Sequence, residues 1–246
     1  MRMFIVRHGE SLGNIHESAY ADRQDHNVPE TQWGYEQMVG AGKHIDQYYE
    51  DRPELAGRKL RVWHSPMLRT VQSTEGLLQG LSPDRIESVR EDYLLREQDF
   101  GLFSDITSKE EQARLFPIES TKYERCREKQ GKCYARPPGG ENRLDVAQRT
   151  RIFKDTMMRD LERGQEDIVI VAHGVTNRAL EMDFLHKGVK WFEDSPNPGN
   201  ADITLIEGDR ERGYTATRIY EGKTRPKTMP KDYKSAPYGE SIVLGG

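Results

Sequence analysis

Ile168-Val169-Ile170-Val171-Ala172-His173-Gly174 reads as a strand buried on both faces that ends on a histidine and a glycine. Five consecutive apolar residues leave no polar side for solvent, the pattern of an interior parallel strand. A second segment ends the same way: Met3-Phe4-Ile5-Val6 runs into Arg7-His8-Gly9-Glu10-Ser11. In an open α/β sheet, ligands bind at the carboxyl ends of the strands, so both histidines fall on the ligand edge. A neutral imidazole there is a potential nucleophile. An adjacent guanidinium matches a phosphate through two parallel hydrogen bonds.

The rest of the chain alternates around these two strands. Thr31 caps a helix running to Tyr49, although Gly40 and Gly42 weaken it. Leu60-Arg61-Val62-Trp63 is a strand, and Ser65-Pro66 is expected to open the next helix, with Ser65 as cap, Pro66 at the first position and Arg69 in the first turn. That helix should end near Leu78. A short strand falls between Ile86 and Leu95. A long helix begins at Asn142 or Asp145 and ends near Glu162, and another covers about Thr176 to Leu185. Ala201 to Glu207 and Tyr214 to Ile219 are the last strands, expected to pair as a hairpin. This order predicts an α/β fold: a doubly wound, mostly parallel sheet with helices on both faces. The polar segment 104–138, closed by Pro137-Pro138-Gly139-Gly140, is expected to be a helical insertion over the C-terminal edge. Residues 1–221 are expected to form one domain. Residues 222–246, rich in Pro, Gly and Lys, are expected to be an extended or partly disordered tail.

Composition narrows the function. The chain has 246 residues, 35% hydrophobic and 32% charged, with a net charge of −4. That balance argues against a nucleic-acid partner. No run approaches the roughly 20 apolar residues of a membrane span. The first residues enter a strand directly, without a signal-peptide layout, so a soluble, cytoplasmic protein with no membrane partner is expected. Cys126 and Cys133 read as two ordinary thiols. No His, Asp or Glu cluster suggests a metal, so neither a metal nor another cofactor is expected, and the state should be monomer or homodimer.

Five motifs occur in order: Arg7-His8-Gly9-Glu10-Ser11 with Asn14; Ser65-Pro66 with Arg69; Arg96-Glu97-Gln98-Asp99-Phe100-Gly101; Pro138-Gly139-Gly140-Glu141; and His173-Gly174. Together they resemble the histidine phosphatase superfamily, also called phosphoglycerate-mutase-like, and within it the phosphatase-type branch. The resemblance implies that His8 is the nucleophile and carries a phosphohistidine. It implies that Arg7, Arg69 and His173 surround the phosphoryl group. His173 then serves as a donor, either protonated or held in one tautomer. Glu97 is implied as proton donor, with Asp99 its competitor two residues on, and an approaching phosphate is expected to raise its pKa. Asn14, Ser11, Gly174, Tyr20 and Arg23 are the expected substrate contacts, and the partner is a small phosphate ester. Glu141 is expected either to orient a catalytic neighbour or to close its loop.

The implied reaction is metal-independent hydrolysis of a phosphomonoester. The alternatives are a phosphoglycerate-type mutase and a non-catalytic phosphate-binding module. One departure stands out: Glu30 occupies a position where the family commonly has leucine, which leaves the placement of that loop open. Lys122, Arg125, Arg127, Lys129, Lys132 and Arg136 put six cations in the insertion. At the pocket mouth they would favour polyanionic substrates; otherwise they form a solvated helix face.

Overall fold

The computed structural model describes residues 1–226 apart from 17, 107 and 166. Among the described residues six strands form one sheet: β1 (Arg2–Arg7), β2 (Leu60–His64), β3 (Ile86–Glu91), β4 (Asp167–Ala172), β5 (Ile203–Asp209) and β6 (Gly213–Tyr220). Their order is β3-β2-β4-β1-β5-β6. The first four run parallel, while β5 is antiparallel to β1 and turns back as β6. The helices are α1 (Leu12–Ile15), α2 (Ala19–Arg23), α3 (Gln32–Glu50), α4 (Leu68–Gly80), α5 (Lys109–Leu115), α6 (Pro117–Gln130), α7 (Arg143–Glu162), α8 (Gly174–Phe184) and α9 (Val189–Asp194).

Alternation along the central strands explains why helices cover both faces. Phe4 and Val6 of β1, with Val169 and Val171 of β4, pack on Met38 and Ile45 of α3 and Leu77 of α4. Met3, Ile5, Ile168 and Ile170 point the other way, onto Phe153 and Met157 of α7 and Leu180 of α8. Successive residues of a strand face opposite sides, so an unbroken apolar run supplies two cores at once. Each buried side chain of this size contributes about 1.5–3 kcal/mol. These contacts fix β4 between β1 and β2 and bring three strand ends together, followed by His8, Ser65 and His173.

Two helix starts behave as their sequence predicts. Thr31 accepts a hydrogen bond from Gly34 N at 3.0 Å. Asn142 and Asp145 form a reciprocal capping box, with bonds of 2.9 and 2.8 Å. Two others differ. The helix after β2 begins at Leu68, so Ser65 and Pro66 lie ahead of it and Ser65 is not its cap. The Ser65 hydroxyl is taken by His173 instead, with its Oγ 2.8 Å from Nε2. The last long helix begins at Gly174, with His173 in the capping position, two residues before the expected start.

The insertion carries α5 and α6. Its anchor is Phe103, buried against Tyr123 and Phe116 with ring centres 5.6 and 6.5 Å away. The first residues of the tail fold back on the body. Asp202 accepts from Gly222 N at 2.9 Å, and Gln37 Nε2 donates to Lys223 O at 2.5 Å. Arg225 Nε reaches both oxygens of Glu10, at 3.0 and 3.1 Å. Residues 227–246 of the expected tail lie outside the described residues. Among the described residues no helix is long and apolar enough to cross a membrane.

Candidate active site

His8 follows β1 directly, and its backbone N continues the sheet ladder by donating to Ala172 O at 3.0 Å. The ring is buried, and Nδ1 lies 2.7 Å from Gly9 O. A carbonyl only accepts, so Nδ1 carries the proton and Nε2 keeps its lone pair. Burial, reinforced by the Arg7 and Arg69 guanidiniums, holds this imidazole well below the ordinary histidine range, against the pull of the Gly9 bond. The ring is therefore neutral and nucleophilic at neutral pH. Gly9 has no alternative at its position: an added Cβ would stand 2.3 Å from Gly34 O and from Glu30 Oε1.

Three basic side chains gather around it. Arg7 donates from Nη1 to Pro198 O at 2.6 Å. Arg69, in the first turn of α4, is held by Asp25 through its backbone oxygen at 2.7 Å and its carboxylate at 2.9 Å. His173 is fully buried, its ring centre 5.3 Å from that of His8. Burial, then the charges of Arg69, His8, Arg149 and Arg7, push its pKa well below the histidine range, so it is not the protonated form allowed from sequence. Its tautomer follows from Ser65. That hydroxyl accepts from Met67 N at 3.3 Å, and the arrangement that also uses its own proton has it donate to His173 Nε2. Nδ1 then bears the ring proton. This nitrogen, Arg7 Nε and Arg69 Nε are all buried without a hydrogen-bond partner.

Glu97 lines the same cavity as His8, Arg7 and Arg69, a hollow of about 440 Å³. Its carboxyl group accepts from Gln98 N at 2.9 Å and from Val175 N at 3.3 Å, in the first turn of α8. Asp99 is exposed, accepts from Gly101 N at 2.7 Å and does not line this cavity. Glu141 ties the loop down. It accepts from Arg96 at 2.6 Å, from Arg149 at 3.0 and 3.1 Å and from Asp99 N at 3.2 Å. Arg149 also donates to Leu94 O at 2.6 Å and to Glu97 O at 3.0 Å. Glu141 and Arg149 thus position Glu97 without reaching the cavity themselves.

The other expected contacts divide. Asn14 and Tyr20 are on the cavity wall. Asn14 Oδ1 accepts from Ser11 N, Ser11 Oγ and Asn200 Nδ2, at 2.9, 3.1 and 3.0 Å. With its oxygen committed, the amide offers the cavity only N–H donors. The structure does not bring Ser11, Gly174 and Arg23 to this wall. Ser11 is spent on Asn14, Gly174 packs against Asn197, where an added Cβ would stand 2.8 Å from Cγ, and Arg23 lines a separate groove beside α1 and α2. None of the six cations of the insertion lines the cavity. Arg127 pairs with Glu124 at 2.9 Å and Arg136 with Asp145 at 2.6 Å, both on the outer surface.

Glu30 does not loosen its loop. It is fully buried; its N donates to Gln72 Oε1 at 2.8 Å, and its Oε1 receives the Ser73 hydroxyl. Ser73 Oγ in turn accepts from Gly9 N at 3.0 Å, so the carboxyl is the floor beneath the His8-Gly9 loop. Burial pushes its pKa well above the ordinary carboxylate range, only partly countered by the Ser73 and Gly9 bonds.

Sequence reading missed Arg149 and the loop of Asn197, Pro198 and Asn200. Asn200 Nδ2 donates to His8 O and Gly9 O, at 3.2 and 3.0 Å. The loop offers no periodic signal. Arg149 does: it shares a helical face with Val146, Phe153 and Met157, and a charge on a core face needs buried partners. Among the described residues no group of three or more His, Cys, Asp or Glu is arranged to hold a metal ion.

Comparison with known proteins agrees with this geometry. The phosphoglycerate mutase-like protein AT74H of Arabidopsis thaliana is 34% identical over 229 residues, covering 87% of this chain and 76% of that protein. Among solved structures, Bacillus stearothermophilus YhfR superposes with a TM-score of 0.66 at 21% identity, covering 90% of this chain and 98% of that one. A mycobacterial glucosyl-3-phosphoglycerate phosphatase, in complex with VO3, gives a TM-score of 0.64 at 22% identity, over 90% and 99%. The sequence profile of the histidine phosphatase superfamily (branch 1) matches residues 3–220, and the chain belongs to that superfamily.

Proposed function

We propose that this protein hydrolyses phosphate monoesters through a phosphohistidine on His8. One observation carries the reading: Arg7 Nε, Arg69 Nε and His173 Nδ1 are buried without partners around a neutral imidazole. Leaving three such groups unpaired costs about 1–3 kcal/mol each. A tetrahedral anion bearing several acceptor oxygens would satisfy them together.

The steps follow from the residues. His8 Nε2 attacks phosphorus in line with the ester oxygen. Charge spreads over the three equatorial oxygens, where fixed guanidinium and imidazole donors stabilise it. The P–O bond breaks, and the departing alkoxide takes a proton from Glu97. The Glu97 carboxylate then accepts a proton from water as that water attacks phosphorus. The P–N bond breaks, releasing inorganic phosphate and neutral His8. Mutase chemistry would use the same first half and return the phosphoryl group to a second hydroxyl.

Rapid quenching after mixing with phenyl phosphate tests the proposal. An acid-labile, base-stable phosphoprotein is expected, absent from His8→Ala, with phosphate released at steady state. Isomerisation of 3-phosphoglycerate primed with a bisphosphate, without phosphate release, would favour the mutase. Ester binding with no phosphoprotein would favour a binding module.

A further inference from the structure

The cavity around His8 combines two guanidiniums with a set of aromatic, aliphatic and neutral polar side chains. Among the described residues the cations on the wall are the Arg7 and Arg69 guanidiniums. A phosphoryl dianion would engage both. The rest of the wall includes Tyr20, Phe103, Ile106 and Gln112, and the Asp25 carboxylate on it is paired with Arg69 at 2.9 Å. Burial raises the Tyr20 pKa, so that ring is neutral. A second hollow opens from the first past Asp25, Glu97 and Ser104, and there two more acids, Asp99 and Asp105, line the wall. Among the described residues this hollow also holds His26 and one arginine, Arg96, which is already bound to Glu141 at 2.6 Å and lies 4.4 Å from the centre of the Tyr93 ring.

Resting on the hydrolase reading, we infer that the preferred substrates are monoesters of uncharged alcohols with an apolar face, and that the site rejects esters carrying a second anionic group. The alcohol meets an aromatic and aliphatic wall, where burial of apolar surface favours it. A carboxylate or second phosphate meets no lysine or arginine on the described lining beyond the two that the phosphoryl group engages, and it approaches Asp99 and Asp105 of the adjoining hollow, where like charges in a partly dry site are strongly unfavourable. The insertion, with Phe103 just ahead of it, therefore acts on specificity through Ile106 and Gln112, while its six cations lie off the cavity lining.

Two measurements test this, with phenyl phosphate as the neutral ester and 3-phosphoglycerate as the anionic one. Calorimetric binding to His8→Ala protein reads selectivity without turnover, and phenyl phosphate is expected to bind about tenfold tighter or more. Comparable or reversed affinities would overturn the inference. If that gap stands while wild-type protein turns over neither ester, the hydrolase reading fails and the selectivity survives. Gln112→Lys and Ser104→Lys each place a cation on the cavity wall. Each is expected to raise kcat/KM for 3-phosphoglycerate, relative to phenyl phosphate, by about tenfold. An unchanged ratio in both variants would overturn the charge account.

Discussion

Replacing Glu30 with glutamine should tilt the dependence of stability on pH. In the unfolded chain Glu30 loses its proton near the ordinary glutamate value of about 4.3. In the folded protein it is fully buried and its pKa is pushed well above that range. The native state therefore binds more protons than the unfolded state between the two values. The stability linked to this group is fully present below about pH 4.3 and is lost as pH rises toward the folded pKa. The slope is about −1.4 kcal/mol per pH unit. Glutamine has the same shape, keeps an acceptor for the Ser73 hydroxyl and never ionises. Its second polar atom replaces Oε2, which has no partner, so an unsatisfied donor adds a fixed cost of about 1–3 kcal/mol that shifts the curve without tilting it. Urea unfolding of both proteins at several pH values between about 5 and 8 gives the difference, in which all shared titrations cancel. With m near 3 kcal/mol/M for a chain of this size, the midpoint of Glu30→Gln should gain about 0.5 M on the wild type for each pH unit through the window. Parallel midpoints across the whole range would refute the reasoning and show that Glu30 is ionised in the fold.

Three further outcomes are expected. Glu97→Gln should slow formation of the phosphoprotein from phenyl phosphate by about 100-fold or more, and much less from an ester whose leaving group needs no proton; equal losses in this first step on both would remove Glu97 as the acid. Arg149→Met should lower both kcat and Tm: removing one partner of a buried pair costs about 3–5 kcal/mol, which at about 2–4 °C per kcal/mol is a fall of about 6–20 °C in a calorimetric scan. A stable variant with native kcat would show that the Glu141 and Glu97 loop holds itself. An NMR titration should find His8 neutral well below pH 6.5, because burial and two guanidiniums depress its pKa; protonation at or above about 6.5 would contradict the electrostatics of the site.

Most of the fold was legible because its signals are local. Five apolar residues before His173 and four before His8 mark interior strands, and Thr31 and Asn142 cap the helices that cover them. Arg7, His8 and Arg69 were legible for a second reason, since each ends or follows a strand or opens a helix at the same edge, whereas Glu97, Asn14 and Tyr20 were legible only through the motifs shared with the family. Ser65 was misread because a serine before a proline satisfies the cap rule equally well when its hydroxyl is spent elsewhere; only the strand order shows that β4 brings His173 alongside it. Asn200 was invisible because its partners, His8 O and Gly9 O, lie almost the whole chain away. Glu30 looked like a missing apolar anchor, since nothing adjacent in sequence announces that Ser73 and Gln72 await it.

The contact between Arg225 and Glu10 links the far end of the described chain to the catalytic loop. Glu10 stands two residues from His8, and Gln37 grips both its backbone N and the returning segment at Lys223. A protease cut after β6, or a bulky fusion that peels residues 222–226 from the body, would strip a sequestered carboxylate of its counter-charge beside the reacting imidazole. Damage so remote in the sequence would register first as a slower enzyme, before any change in the sheet.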